Sequence, residues 1–531
     1  MVSYCVNEGK STNVRNSITP QGEKLTNMQL GNQWNKIDWK QAEDHVNRLQ
    51  VRITKAVKEG KWYLVKRLEY LLTHSYFAKL LATRKTTQNT GKRTAGIDGE
   101  TWSSSEAKMK AALKLTDKKY VAKPLKRVYI EKYGSTKKRP LGIPTMYDRA
   151  MQSLYALALE PIAEATGDRR SFGFRKSRST HDACAQAFFC LCRKNSPEWV
   201  LEGDIKGCFD NISHQWLIDN IPMNKSVLKQ FLKAGYIFDR QLFPTEAGTP
   251  QGGIISPILA NMTLDGIEKL LAEKYHKKSK SGKPNCHHDA KYKVNFCRYA
   301  DDFIVTAKTE EIAKEVKELI KDFLKGRGLE LSDEKTLITH IDTGFEFLGW
   351  NFRKYNGKLR AKPSMKSIEK ATRKISDTIK EGKAWTQKDL IIALNPIITG
   401  WANYHQTVAS SEIFRKLNYR IWNMLWHWAK RRHPEKSKQW IARKYWHTVG
   451  NRKWVFTDGD KVLNPLYDTK IIRHARLKLD MNPYLNKEYF VLRKLKQKAR
   501  KLAGMTKKVW DKTEKIYNLE IETITNNCCP N

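Results

Sequence analysis

Apolar residues recur at helical spacing in several long segments of the chain. Between Trp39 and Leu81 they fall three or four positions apart, which predicts two amphipathic helices with Gly60 near their junction. The same spacing predicts helices in three further segments, residues 148–165, 215–237 and 309–328. Residues 1–35 are polar and show no such period, so we expect a mobile tail there.

Shorter apolar runs that end in turn residues predict strands in the middle of the chain. Residues 128–144 have the pattern of a hairpin, with a Gly-Ser-Thr turn between two strands. Residues 198–212 predict a strand that leads into an acid and a turn, and residues 294–308 predict a strand, a turn and a strand. Beyond about residue 360 the pattern is helical. Because strands and helices interleave without regular βαβ order, the sequence predicts an α+β core with an α-helical extension.

Two adjacent acids, Asp301 and Asp302, interrupt the apolar segment FCRYADDFIVT. Neighbouring carboxylates repel each other and lose hydration when buried, unless a cation or a shared proton offsets the cost. A tight turn can display both acids at its tip, where oxygen ligands suit a divalent metal. An ordinary surface turn is the alternative, because Asp favours turns. Asp204 also follows an apolar strand; if that strand pairs beside the hairpin, Asp204 and Asp301 can jointly hold two metal ions.

The charge balance favours a polyanionic partner. The chain carries 98 Lys and Arg residues against 55 acids, a net charge of +43, and residues 351–531 hold 40 basic and 15 acidic side chains. A merely soluble basic protein is the alternative. The nine cysteines form no CxxC pair, which argues against a disulfide framework or a zinc ribbon. No apolar run reaches membrane-spanning length, so we expect no membrane partner. Metal-bound carboxylates and a polyanion together suggest polynucleotide phosphoryl transfer.

An ordered set of motifs carries a specific resemblance. DIKGCFDNI, AGTPQGGIISPILANMTLD, FCRYADDF, LSDEKT and FLGW stand in the order found in reverse transcriptases. With AGIDG (95–99) and LNPIITGWANYHQ (394–406), the set resembles the proteins encoded by group II introns of the chloroplast-like class, from about Trp39 to at least Arg476. The resemblance implies a right-hand polymerase of fingers and palm, an α-helical thumb or maturase domain, and a basic C-terminal extension.

The resemblance also implies a domain organisation. The segments are a polar tail (1–35), a helical N-terminal extension (36–110), the fingers and palm (111–355), a thumb or maturase domain that binds RNA (356–445), and a basic DNA- or RNA-binding region (446–531). Many members of this class continue into an HNH endonuclease with paired CxxC motifs. Here only the adjacent Cys528 and Cys529 follow, so we expect that domain to be lost or truncated.

Individual palm residues match family positions. Asp204, Asp301 and Asp302 match the catalytic acids that bind two Mg²⁺ ions, with Asp302 the weaker ligand. Tyr299 resembles the aromatic residue that borders the primer end. Phe209 matches the bulky side chain that clashes with a ribose 2′-hydroxyl and so excludes ribonucleotides; simple core packing is the alternative.

The resemblance assigns four further side chains to the incoming deoxynucleoside triphosphate. Gln251 matches the residue that contacts the nucleotide. Lys132 and Arg139, on the predicted fingers hairpin, resemble the cations that clamp the triphosphate, although either can instead be a solvated surface charge. Lys335 matches a palm lysine proposed in the family as a proton donor to pyrophosphate.

The segment IWNMLWHWAKRRHP (421–434) combines cations for phosphates with aromatic rings that can stack on bases. Trp422 and Trp426 are spaced as one apolar face, so we expect them in a helix core. The RNA contacts are then assigned to basic residues, namely Arg431, Arg432, Arg443 and Lys444.

The implied function is an RNA-directed DNA polymerase that also acts as a splicing factor for its own intron. Its partners would be the group II intron RNA and a target DNA or primer, with a homodimer left open. A splicing-only maturase without significant polymerase activity is the alternative. A bacterial cytoplasm or an organelle genome, in a chloroplast or mitochondrion, would be its setting.

Overall fold

The structure, a computed structural model, describes residues 26–131, 138–276 and 291–503. The helices within these ranges are α1 (Asn27–Asn35), α2 (Trp39–Lys58), α3 (Trp62–His74), α4 (Tyr76–Gln88), α5 (Ser105–Lys114), α6 (Met146–Thr166), α7 (Thr180–Leu191), α8 (Cys208–Asn211), α9 (His214–Asn220), α10 (Lys225–Leu232), α11 (Ser256–Leu264), α12 (Ile267–Tyr275), α13 (Glu310–Lys325), α14 (Met365–Glu381), α15 (Gln387–His405), α16 (Ser411–Arg432), α17 (Lys438–Tyr445) and α18 (Lys487–Ala503). The strands are β1 (Leu125–Glu131), β2 (Lys138–Ile143), β3 (Trp199–Gly203), β4 (Tyr236–Phe238), β5 (Gln241–Phe243), β6 (Asn295–Tyr299), β7 (Asp302–Ala307), β8 (Leu337–His340), β9 (Phe345–Phe347), β10 (Trp350–Tyr355), β11 (Lys358–Pro363), β12 (Trp446–Val449) and β13 (Arg452–Phe456). The predicted α+β class is confirmed.

The N-terminal helices begin earlier than predicted. Gly60, with φ 70°, separates α2 from α3 as expected, but α1 is folded where a mobile tail was predicted. The Thr26 hydroxyl caps α1 by accepting the N–H of Gln29 at 3.3 Å. Trp34 is buried and meets Trp39 edge to face, with ring centroids 5.1 Å apart. The tail prediction is therefore wrong for residues 27–35, because a few apolar side chains suffice to dock a polar helix; residues 1–25 lie outside the described residues.

The palm is a four-stranded antiparallel sheet in the order β6-β7-β3-β8. Its strands are buried on both faces: Leu201 and Val305 face α13, while Val200 and Ile304 face α7. Burial on both faces explains why these segments are nearly continuous apolar runs rather than alternating ones. The sheet places the end of β3 beside the turn between β6 and β7.

The fingers hairpin is also confirmed. β1 and β2 pair antiparallel, and β4 and β5 extend the sheet in the order β2-β1-β4-β5. The helix predicted over 215–237 is wrong in part, because Pro222 separates α9 from α10 and the chain then turns at Gly235, with φ 67°, into β4.

Helices α14 to α16 form the core of the thumb region with the β12–β13 hairpin. Trp428 and Trp446 are buried, and the Trp422 and Trp426 rings stack with centroids 5.5 Å apart. The two tryptophans predicted for the helix core, Trp422 and Trp426, pack against this core but are only partly buried. The hairpin was not predicted, because its strands are short and largely exposed.

Residues beyond the thumb return across the palm. The Ile472 N–H donates to the Gln406 carbonyl at 2.8 Å. His474 Nε2 lies 2.9 Å from an Asp182 carboxylate oxygen at the start of α7, and Arg493 of α18 also pairs with Asp182. Within the described residues, no helix is both long enough and apolar enough to cross a bilayer.

Candidate active site

A tight turn between β6 and β7 displays the paired acids. Tyr299 pairs with Asp302, so Ala300 and Asp301 are the two residues of the turn. Ala300 adopts the left-handed region, with φ 57°. Asp301 therefore lies at the tip and Asp302 begins β7, as the hairpin pattern predicts.

Asp204 lies beside this turn because β3 pairs with β7. Gly203 is opposite Phe303 in the register, which leaves Asp204 next in line. A Cβ at Gly203 would lie 2.1 Å from the Phe303 ring, so only glycine lets that ring pack under the site. The expected pairing of the Asp204 strand beside the hairpin is confirmed.

Two of the three carboxyl groups, those of Asp301 and Asp302, have a raised pKa. Burial and then the Asp204 charge raise the pKa of Asp301, with Arg139 and Lys335 opposing. Burial raises the pKa of Asp302 to about 6, and the charges of Asp301 and Asp204 add to the effect. Burial is the larger cause for both groups, and the neighbouring carboxylates add to it.

Lys335 partly offsets this charge. Its Nζ donates to Asp204 Oδ2 at 2.7 Å, and this hydrogen bond raises the pKa of Lys335. Among the described residues, no three His, Cys, Asp or Glu side chains are arranged to hold a metal alone. One or two carboxylates do suffice for a hard cation such as Mg²⁺, which takes further ligands from substrate phosphates and water. Asp204 and Asp301 fit that requirement.

The fingers hairpin brings Arg139 to the site. Arg139 lies on β2 opposite Ile130, and its charge lowers the pKa of both Asp301 and Asp210, although burial leaves each raised overall. The Gly142 N–H donates to the Gln251 carbonyl at 2.8 Å, which fastens the hairpin to the Gly/Pro loop. Lys132 lies outside the described residues.

Gln251 and Phe209 line one cavity of about 380 Å³. Gln251 Nε2 donates to Asp210 Oδ2 at 3.1 Å. The partly buried Phe209 ring meets Phe174 edge to face, with centroids 6.5 Å apart. Arg127 lies on the wall of the same cavity, its guanidinium 3.8 Å from the centre of the Tyr236 ring.

Tyr299 lies at the end of β6, opposite Asp302. Its ring packs against the core beneath the turn, and this partial burial raises the pKa of its hydroxyl. The structure therefore brings Tyr299 to the same end of the palm as the acids.

The predicted RNA contacts are not equivalent. Arg431, Arg443 and Lys444 are exposed, and Lys444 Nζ lies 4.9 Å from the centre of the Trp440 ring. Arg432 instead donates to the Lys383 and Trp385 carbonyls at 2.8 and 3.0 Å. These bonds tie the end of α16 to the α14–α15 connection, and the RNA contact of the half-buried Arg432 stays a prediction.

Several supporting residues were not predicted. Arg298 is 0% exposed although it lies two positions from the turn, and Asn261 and Asp265 bind its guanidinium. Gly173 packs directly against the turn backbone. An arginine inside an apolar strand, and the polar residues of the LANMTLD motif, were the available signals.

Comparisons with known proteins agree with this arrangement. Residues 34–115 match the family described as the N-terminal domain of reverse transcriptase, residues 130–352 match reverse transcriptase (RNA-dependent DNA polymerase), and residues 368–446 match the group II intron maturase-specific domain. The chain is 30% identical over 505 residues to the group II intron-encoded protein LtrA of Lactococcus lactis subsp. cremoris, covering 79% of this chain and 81% of LtrA.

Two shorter similarities extend the comparison. Protein YkfC of Escherichia coli is 34% identical over 302 residues, covering 50% of this chain and 78% of YkfC. Maturase-like protein 1 of Euglena gracilis is 24% identical over 359 residues, covering 64% of this chain and 70% of that protein.

Proposed function

The chain belongs to the group II intron-encoded reverse transcriptases that carry a maturase domain, and we propose that Asp204, Asp301 and Asp302 are its catalytic acids. It is an RNA-directed DNA polymerase and a splicing factor. The observation that carries the site assignment is the pairing of β3 beside the β6–β7 turn, which sets Asp204 next to Asp301.

The family uses a divalent metal and deoxynucleoside triphosphates. The proposed metal is Mg²⁺, held by Asp204 and Asp301, with Asp302 a weaker or indirect ligand. When bound, two such ions activate the attacking 3′-hydroxyl and stabilise the leaving pyrophosphate. Lys335, whose Nζ donates a hydrogen bond to Asp204, would supply a proton to the pyrophosphate. Tyr299 would border the primer end.

Three residues are proposed to hold the incoming nucleotide. Arg139, close enough to Asp301 for their charges to interact, would clamp the triphosphate, with Lys132 as its partner on the hairpin. Gln251 would contact the nucleotide, and its hydrogen bond to Asp210 would orient the amide. Phe209 would exclude a ribose 2′-hydroxyl.

Phe209→Val is expected to relax discrimination against ribonucleotides. Removing the ring opens space where the 2′-hydroxyl would clash, and pocket changes of this kind alter selectivity by roughly 10- to 200-fold. Competition between rNTP and dNTP in primer extension measures the ratio. If the rNTP-to-dNTP selectivity is unchanged and the melting temperature falls, Phe209 only packs in the core.

Arg139→Ala is expected to raise the apparent KM for dNTP by about 10- to 100-fold, because a charge-assisted contact to phosphate contributes roughly 1.5–3 kcal/mol. Steady-state extension at varied dNTP measures it. Lys138→Ala is the matched control, since adjacent strand residues face opposite sides and Lys138 is also exposed. An equal KM change in both variants, or none in Arg139→Ala, would exclude the clamp.

Group II intron RNA is the expected RNA partner, since residues 368–446 match the maturase-specific domain. The proposed RNA contacts are the exposed Arg431, Arg443 and Lys444, together with the half-buried Arg432. Target DNA or primer, and a homodimer, are further proposed partners. A bacterial cytoplasm or an organelle is the proposed setting.

Paired assays on the wild-type protein test the function. DNA synthesis on a primed RNA template, and splicing of a group II intron precursor, are both expected. Efficient splicing without any DNA synthesis would instead favour the splicing-only alternative.

A further inference from the structure

Arg298 is a buried charge directly behind the proposed catalytic turn. It lies on β6 and is 0% exposed. Its guanidinium donates to Asp265 Oδ1 at 2.5 Å, to Asn261 Oδ1 at 3.1 Å and to the Ala300 carbonyl at 3.2 Å. The last bond joins the arginine to the peptide unit whose nitrogen belongs to Asp301.

Stability alone does not explain the buried ion pair between Arg298 and Asp265. Apolar side chains of similar volume often stabilise a fold as well or better. The guanidinium can do what an apolar side chain cannot, since it holds a specific carbonyl in a specific direction. Ala300 needs such support, because a left-handed backbone conformation is unfavourable for a residue other than glycine.

The opposite side of the turn is supported by the segment before α7. The Arg298 N–H donates to the Arg170 carbonyl, and the Phe172 N–H donates to the Arg298 carbonyl, both at 2.9 Å. Asn261 joins the two supports: its Oδ1 accepts from Arg298, and its Nδ2 donates to the Gly173 carbonyl at 2.8 Å. The turn is thus held between α11 and residues 170–173.

We propose that Arg298, held by Asp265 and Asn261, is a positioning residue for nucleotidyl transfer. By fixing the Ala300 carbonyl it sets the peptide plane at Asp301 and so directs the Asp301 carboxylate toward Asp204. The inference rests on the proposed catalytic role of Asp301. It concerns orientation, and it assigns Arg298 no contact with substrate or metal.

Two variants separate positioning from stability. Arg298→Lys keeps the charge facing Asp265 but cannot span Asp265, Asn261 and the Ala300 carbonyl together. The double variant Arg298→Met with Asp265→Asn removes both charges, so that no unpaired charge of this pair stays buried. Lys354→Arg is the matched control, since Lys354 is also a buried cation and its Nζ donates to Ser196 Oγ at 2.7 Å, outside α11 and residues 170–173.

The readouts are the single-turnover rate of primer extension and the Mg²⁺ concentration for half-maximal rate. Both Arg298 variants are expected to slow the single-turnover step by about 10- to 100-fold and to raise the Mg²⁺ requirement, because small misplacements of a catalytic group have effects of this size. Affinity for intron RNA should stay within about twofold. Lys354→Arg is expected to lower the melting temperature without changing the Mg²⁺ requirement.

A wild-type rate and Mg²⁺ requirement in either folded Arg298 variant would overturn the proposal, as would an equal shift of the Mg²⁺ requirement in Lys354→Arg. Asp301→Asn is measured in parallel. If Asp301→Asn still extends primers, the catalytic assignment of Asp301 is wrong. If Asp301→Asn is inactive while Arg298→Lys has a normal rate and Mg²⁺ requirement, only the positioning role of Arg298 is wrong.

Discussion

Asp301→Asn is expected to reduce primer extension on an RNA template by on the order of a thousandfold or more, because it removes a carboxylate of the proposed metal site. The amide keeps the shape of the side chain, so the turn should persist. Burial and the neighbouring Asp204 raise the pKa of Asp301, which means that its charge disfavours the native state. The variant should therefore be at least as stable as the wild type at neutral pH.

Three measurements check this prediction. Single-turnover extension reports the chemistry, thermal unfolding reports stability, and splicing reports the maturase function. Asp322→Asn, on the exposed face of α13, is the control for loss of an acidic charge. Splicing by Asp301→Asn should stay near normal, since the proposed RNA contacts lie on α16 and α17. Near-wild-type extension would show that Asp301 is not required for the reaction.

Gly173→Ala is expected to reduce extension by about a hundredfold without changing any charge. A Cβ at this position would lie 2.3 Å from the Ala300 nitrogen and 2.9 Å from the Tyr299 carbonyl carbon. Both are backbone atoms, so the turn must shift rather than a flexible side chain. A displacement of about 1 Å at a catalytic group can cost this much in rate.

Gly400→Ala is the matched control for that variant. Gly400 lies within α15, and nothing lies within 4 Å of a Cβ built there. Alanine at such a helical position usually stabilises, so extension should be unchanged and the melting temperature equal or higher. Normal extension by folded Gly173→Ala would show that the turn tolerates displacement and that its backing is not tightly coupled to the reaction.

The central relation of the site could be predicted because it depends on strand ends. An acid after one apolar strand and two acids between two others become neighbours once those strands pair. The apolar residues on both sides of YADD predicted the two strands and the turn, and the position of Asp204 after an apolar run predicted the third strand end. The register of β3 against β7 places the Phe303 ring against Gly203, where a Cβ would collide with it.

The supporting residues could not be predicted from the same pattern. By residue type alone, Arg298 would be predicted to lie at the surface. Its burial depends on Asp265 and Asn261, which α11 brings to its guanidinium from a distant part of the sequence. The hydrogen bonds of Arg432 within the protein were also not predicted, because the carbonyls that it binds lie 47 and 49 positions earlier in the chain. Both depend on long-range contacts that local spacing does not encode.

The helix and the hairpin that the apolar pattern did not predict were missed for similar reasons. α1 is a short polar helix held by few apolar contacts, and its partners Leu80 and Met109 are distant in the chain. The β12–β13 hairpin has mostly exposed strands, so it lacks the alternating burial that marks a strand. Segments stabilised by docking on another part of the fold are those for which the local signal is weakest.

Metal binding tests the central claim most directly, because Asp204 and Asp301 are proposed to form one cation site. Mn²⁺ binding can be followed by electron paramagnetic resonance in a complex with primed RNA template and a non-hydrolysable dNTP analogue. Wild type and Asp322→Asn are expected to bind Mn²⁺ equally, while Asp204→Asn and Asp301→Asn each lose affinity by at least about tenfold. Equal Mn²⁺ affinity and stoichiometry in all four proteins would contradict the account.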